Sequence, residues 1–496
     1  MSKRTKPEIL EDISKRKGFI WQSAEIYGGL SGFYDYGHLG TLLKRKFENL
    51  WRKYFLGLDP NFYEIESTDI LPESVLIASG HVESFTDPIT ECSSCGLIER
   101  ADHILENELG EQFEGMTAEE LTETIKKYKI RCPNCGGELK EVGVLNLMFP
   151  LKVGPYSGTP AYLRPETAQG AYINFLREFQ ATRKSLPLGL AIIGKAYRNE
   201  ISPRQGVYRT REFTQAELQI FFNPKKIDEH PDFDSVKEYK VRLLPVSNRK
   251  SGKVEEVTCR EASRKFGLPK FYLYYMAKIQ QFFLDVLGLP KEVFRFYQLA
   301  DEEKAFYNKY HWDIQLKVET YGGFGEVAGL HYRTDHDLGG HQKVSGKNHE
   351  VYVDGEKFVP HVVEISFGVD RTVYAILELS LRTNDRTYLA IPKLIAPYDC
   401  AVFPIVKKEG LPEKAWEIFQ MLRKYYDCVY DESGSIGRRY ARQDENGTSF
   451  CITVDYQTLE DNTVTIRDRD TTNQIRVKVD TLVDVIRELK EGKMKI

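Results

Sequence analysis

The sequence predicts an α+β chain: an antiparallel sheet domain with its helices set to one side, followed by a compact α/β module. Two strand-like runs, LGLAIIGKAYRNE and TREFTQAELQIFF, follow one another across a short turn with no helix between them, which implies hairpin pairing and not a crossover. Helix-length apolar stretches stand apart from the strands. At LAIPKLIAPYDCAVFPIV prolines punctuate the chain and the strand–helix pattern restarts.

LGTLLKRKFENLWRKYF puts Leu39, Leu42, Leu43, Phe47, Leu50, Trp51, Tyr54 and Phe55 on one stripe with Lys and Arg opposite, which is an amphipathic helix. FYEIESTDILP reads as one strand closing at Pro72. Residues 87–144 form a polar insertion carrying CSSC (Cys92, Cys95) and CPNC (Cys132, Cys135), each pair followed by glycine. Two such knuckles suit one tetrahedral zinc ion held by four thiolates, a closed structural site. The strand pair around SPRQG comes next, then a polar, irregular insertion at 223–268. FYLYYMAKIQQFFLDVLGLP has the length and apolar content of a helix. VETYGGFGEVAGLHYRTDHD and HVVEISFG read as strands and VDRTVYAILELSLR as a helix. From 390 to 496 the order is strand, helix, strand, turn, strands, helix.

The chain has 496 residues, 41% hydrophobic and 29% charged, enough for two or three domains. It contains no apolar run near the roughly 20 residues that span a bilayer, and its first residues have no secretory apolar core. A cytoplasmic protein with no membrane partner is expected. The net charge of -4 excludes a uniformly basic nucleic-acid binder but not a local basic patch. Cys259, Cys400, Cys428 and Cys451 stand alone in sequence and read as ordinary buried thiols.

Tyr197 to Glu217 holds four arginines and three glutamates in 21 residues. Strand alternation puts Arg211, Phe213, Gln215, Glu217 and Gln219 on one face, with Arg198 and Glu200 together on the partner strand and Glu364, Ser366 and Gly368 together in VVEISFG. Such a floor can stack a flat ring, fork phosphates with arginines, and hold a divalent cation or an amino group with acids. Arg371 falls in the first turn of a helix, where the dipole favours anions. Cross-strand ion pairs on a solvated sheet are the plainer alternative.

These segments resemble the second and third signature motifs of class II aminoacyl-tRNA synthetases, and the helix with FYEIESTDILP resembles the first. SGHVESFTD, LRPETAQGAY, RNEISPRQGVYRTREFTQAE, VEISFGVDR and SIGRRYARQDENGTSFCITVDYQTLEDNTVTIRDRD resemble the dimeric glycyl-tRNA synthetases of archaeal and eukaryotic type along essentially the whole chain. The resemblance implies a catalytic domain over 1–86 and 145–389 (motifs near 39–72, 197–217 and 362–378), a zinc-ribbon-like insertion at 87–144, the insertion at 223–268 within the catalytic domain, and an anticodon-binding domain at 390–496. It implies a homodimer that joins glycine to tRNA(Gly) through glycyl-adenylate, using ATP and Mg²⁺ with a structural zinc.

By the same resemblance Arg198, Glu200 and Arg371 are catalytic. Asn199, Tyr208, Arg209, Thr210, Arg211, Glu212, Phe213, Glu326, Val327, Gly368, Val369 and Asp370 join them around ATP. The glycine pocket takes in Arg100, Glu166, Phe213, Thr214, Gln215, Ala216, Glu217, Arg333, Glu364, Ile365, Ser366, Phe367 and Gly368. Arg438, Arg439, Tyr440 and Arg442 mix cation and aromatic in a way suited to tRNA bases, with a solvated helix start as the alternative reading. Two rivals stay open: a class II synthetase for another small amino acid, and a non-catalytic RNA-binding paralogue.

Overall fold

The computed structural model describes every residue except 1–3, 112, 114, 157, 202, 204, 205 and 305–307. Its centre is a nine-stranded sheet built from β1 (Phe62–Glu64), β2 (Leu188–Tyr197), β3 (Glu212–Phe222), β4 (Lys240–Leu244), β5 (Glu255–Thr258), β6 (Phe294–Gln298), β7 (Tyr310–Val318), β8 (Gly323–Thr334) and β9 (His361–Gly368). The spatial order is β5-β4-β6-β7-β8-β9-β3-β2-β1. Neighbours run antiparallel except β2 with β1 and β4 with β6. The expected hairpin is therefore real: Leu188 pairs with Phe221 and Tyr197 with Glu212. Ser202, Arg204 and Gln205 of its turn lie outside the described residues.

Period-two alternation gives β3 and β9, over the stretch that meets the site, one apolar and one polar face. Ala216, Leu218 and Ile220 of β3 and Ile365 and Phe367 of β9 join a core with helices α1 (His38–Phe55), α3 (Lys270–Gln281) and α4 (Val369–Ser380). Within it Phe367 stacks on Phe283, with ring centroids 5.4 Å apart, and lies edge-on to Trp51 and Phe55. Contrary to a strictly one-sided arrangement, α2 (Ala168–Ala181) covers one end of the opposite face, packing Tyr172 and Phe175 on Leu188, Leu190 and Phe221. The rest of that face stays open, and the site lies there.

Four further expectations change. FYEIESTDILP splits into β1 and a separate strand, Ile70–Pro72, in another small sheet. The 223–268 segment is not wholly irregular, because β4 and β5 pair within it and extend the central sheet. Lys44 is not on a solvated face of α1: it is buried, 2.8 Å from Asp370. Cys400 and Cys428 do not stand alone, since they face each other on paired strands with Sγ atoms 2.7 Å apart.

Residues 87–144 place helices Ala101–Leu109 and Ala118–Tyr128 around a small core of Ala101, Leu105, Leu121 and Ile125. Their four cysteines converge, with Sγ atoms all within 4.8 Å of one another. The C-terminal module has its own core under a five-stranded sheet, with helices Leu411–Leu422, Ile436–Asn446 and Leu482–Lys490. Lys46 of α1 reaches Asp399 at 3.1 Å and Asp427 at 2.9 Å in that module, fastening it to the sheet domain. No helix among the described residues is long and apolar enough to cross a membrane.

Candidate active site

A cavity of about 280 Å³ opens on the polar face of β3, β8 and β9, and Arg198, Phe213, Glu217, Glu364 and Arg371 all line it. The register explains the convergence: Glu217 sits opposite Ser366, Gln219 opposite Glu364, and Gln215 opposite Gly368. Functional groups from three strands thus share one floor.

One end is cationic. Arg371, on the first turn of α4, donates from Nε to the Tyr208 carbonyl (2.9 Å) and pairs with Glu326 at 3.2 Å. Its guanidinium lies 5.0 Å from the centroid of the Tyr208 ring, which itself packs on Tyr321. Across the cavity Arg198 donates to the Pro165 carbonyl and lies 5.3 Å from the rings of Phe213 and Phe85. At Gly368 a side chain would press on the Val327 carbonyl, 3.3 Å from where a Cβ would stand. Asp370 is buried between Lys44, the Tyr36 hydroxyl and the Thr214 N–H. Burial opposes its ionisation, yet Lys44 and these donors hold it below the usual carboxylate range.

The other end is acidic and buried. Glu217 accepts from Thr167 Oγ1 and Ser366 Oγ, both at 2.6 Å, and burial followed by repulsion from Glu364 and Glu166 pushes its carboxyl up to about 8. Burial also raises Glu364, even though Arg333 Nη1 donates to it at 2.7 Å. Burial works against Glu166 too, but Arg333 and His81 outweigh it and hold that carboxyl well below its ordinary value. Arg333 itself forks onto Asp337 at 2.9 and 3.1 Å. Three carboxyl groups around one engaged arginine, one of them holding its proton until a cation arrives, suit a small ammonium.

Not every expected residue belongs here. Ala216, Val327, Ile365, Phe367 and Val369 face the apolar core. Glu212 pairs with Lys195 at 2.8 Å away from the cavity. The Asn199 N–H bonds the Leu147 carbonyl, and Arg211 ties the loop together through the carbonyls of Glu200 and Ser31; neither lines the cavity. Arg100 pairs with Asp102 and Asp87 and lines an adjoining hollow with Arg209, which meets the first cavity at Glu200 and Tyr208.

In the C-terminal module Arg439 is buried on the carbonyls of Pro404 and Gly434, Tyr440 packs on Phe403 and bonds Thr453, and Arg442 pairs with Asp431. Arg439 is thus enclosed by the fold, Tyr440 and Arg442 are half-buried with these partners, and Arg438 is exposed. Asn308, His311, Asp313 and His331 also line the cavity and were not anticipated. For His311, Asp313 and His331 the signal is local: the alternation of HWD in β7 and of Gly329, His331 and Arg333 in β8 aims them at the same face, whereas Asn308 lies in the segment before β7.

Comparison with known proteins fits this geometry. Residues 157–380 match the family described as "tRNA synthetase class II core domain (G, H, P, S and T)", and residues 399–489 match "Anticodon binding domain". Two prolyl-tRNA synthetase structures from Cryptosporidium parvum share the fold, with TM-scores of 0.59 and 0.56 at 14% identity, covering 98% and 97% of this chain and 77% and 75% of theirs. The fold and site thus define a class II synthetase core joined to an anticodon-binding domain.

Glycine–tRNA ligases from Pyrococcus furiosus and Thermococcus kodakarensis are 45% and 44% identical, each over 98% of this chain and 99% of their own. One from Methanocaldococcus jannaschii is 41% identical over 98% of this chain and 99% of its own. The chain belongs to the glycine–tRNA ligase family.

Proposed function

We propose that the chain joins glycine to tRNA(Gly) in two steps, forming glycyl-adenylate and pyrophosphate from glycine and ATP and then passing the glycyl group to the tRNA 3′ end. The observation that carries this reading is the single cavity with arginines at one end and a cluster of buried carboxylates at the other. The substrate carboxylate is already a nucleophile, so positioning and charge compensation at the α-phosphorus do most of what is needed.

Arg198 takes the α-phosphate, Arg371 the γ-phosphate and one face of adenine, and Phe213 the other face. Glu200 and Glu326 are the acids for Mg²⁺, which when bound supplies charge neutralisation on the phosphates. Glu166, Glu217, Glu364 and Ser366 clasp the glycine ammonium. A methyl on Cα is refused by overlap with the wall.

The four cysteines suit structural zinc: Sγ separations of 3.5 Å (Cys92–Cys135) and 3.7 Å (Cys95–Cys132) approach the roughly 3.8 Å edge of a tetrahedron with Zn–S bonds of about 2.3 Å. The reading also includes a cytoplasmic homodimer with its dimer-forming motif around 39–72. Charging of tRNA with labelled glycine tests the function, and no charging of any tRNA at saturating ATP would end it. About one zinc per chain is expected by elemental analysis, and metal-free folded protein would remove the zinc.

A further inference from the structure

The cavity wall beyond Glu364 contains an imidazole pair that the roles above do not use. On β8, His331 pairs in register with His311 of β7 on one side and with Glu364 of β9 on the other. Gly329, two residues earlier on the same face, lies opposite Ser366. A Cβ at Gly329 would stand 2.3 Å from His331 Nε2, so the imidazole lies back along the strand and fills the space over the glycine.

Buried Asn308 holds the pair, its Nδ2 being 3.3 Å from His331 Nδ1 and 3.5 Å from His311 Nδ1. An amide nitrogen only donates, so Nδ1 of His331 accepts and Nε2 carries the proton. That N–H stands 3.7 Å from Glu364 Oε1. His311 Nε2 stands 3.1 Å from Asp313 in the same way. Turning the amide over would set a bare Nε2 lone pair against each carboxylate. Burial, then the neighbouring His311 and Arg333, keep His331 well below its ordinary pKa and so neutral.

The hydrogen bonds that Arg333 and Gln219 donate to Glu364 both end on Oε2. Oε1 therefore faces His331 and the cavity, where it is the oxygen placed to meet an ammonium.

We propose that His331, set by Asn308, positions Glu364 for the amino-acid ammonium and forms the wall over Gly329 that restricts the pocket to a ligand without a side chain. This rests on the reading of the cavity as a glycine site. Removing the imidazole would free Oε1 of its neighbour and open space beside Ser366 and Glu364, where a substituent on the amino acid could enter. Discrimination by one methyl in a close-packed pocket is on the order of 10- to 200-fold, which is the scale of the selectivity at stake.

Pyrophosphate exchange by the full chain with ATP and either glycine or L-alanine tests it. His331→Ala should raise the glycine KM about three- to tenfold, the scale of a 3.7 Å N–H contact to a charged group that is weaker than a full hydrogen bond, leave the ATP KM unchanged, and narrow the glycine-to-alanine ratio of kcat/KM. His331→Gln, whose amide N–H can replace Nε2–H, should restore most of the glycine KM. Should His331→Ala fail to fold, Asn308→Ala should give the same rise in glycine KM at constant ATP KM. A glycine-responsive wild type whose His331→Ala and Asn308→Ala forms keep both glycine KM and selectivity overturns this inference alone. A wild type unresponsive to glycine overturns the glycine reading and this inference with it.

Discussion

Glu217→Gln isolates the charge that the acidic end contributes to ligand binding. Both oxygens of Glu217 accept from hydroxyls at 2.6 Å, from Ser366 and Thr167, and the group is 3% exposed. Glutamine has the same shape, and either hydroxyl can rotate to accept from its amide, so the packing survives. With a carboxyl pushed up to about 8, the free site already holds Glu217 largely protonated at pH 7, and the neutral substitute changes the free protein little.

The loss falls on the complex. An ammonium would draw Glu217 into its ionised form and gain a charge-assisted hydrogen bond worth about 1.5–3 kcal/mol, which glutamine cannot supply. Releasing the Glu217 proton at pH 7 offsets about 1.4 kcal/mol of this, so the glycine KM in pyrophosphate exchange should rise by up to roughly 15-fold while the ATP KM and the melting temperature stay close to wild type. An unchanged glycine KM, or an equal rise in the ATP KM, would refute this reasoning.

The same group sets a pH dependence. Its unfolded carboxyl ionises near the ordinary value of 4.5 while the folded one keeps its proton to about 8, so over that window the native state binds more protons and the Glu217 contribution to stability falls as pH rises. Glycine affinity moves the opposite way: calorimetry should find a proton released on binding near pH 7 and tighter binding as pH climbs toward 8, and a pH-independent affinity would contradict it. Arg198→Ala should cut exchange about 10²- to 10³-fold without unfolding the chain, as for the loss of one preorganised transition-state donor; normal exchange would remove its role. Lys44→Met strands the buried Asp370 carboxylate and should cost about 3–5 kcal/mol in urea denaturation, with a loss below about 1 kcal/mol speaking against the pair.

The strands that form the cavity floor were legible because two-residue alternation is a local property: Phe213, Gln215 and Glu217 could be put on one face from the chain alone. So could the cysteine knuckles, whose spacing is local too. Reading each motif as a contiguous block was less faithful, since every second residue of a strand points away; Ala216, Ile365 and Phe367 went to the core for that reason. Burial of charge was invisible in advance. Lys44 and Arg439 look like solvated positions on their helices, and only partners far along the chain, Asp370 for the one and the Pro404 carbonyl for the other, account for their burial. The edge strand β5 was hidden by its polar composition, EEVT, and β4 by its shortness, five residues set between polar stretches. His331 and Asn308 come together only through the β7–β8 pairing and the preceding loop.

The account stands most directly on amino-acid-dependent pyrophosphate exchange, measured with the purified full chain, ATP and Mg²⁺ against each of the twenty common amino acids in turn. Glycine alone should drive exchange above background. Exchange driven by alanine, serine or proline and not by glycine, or by none of the twenty, would contradict it.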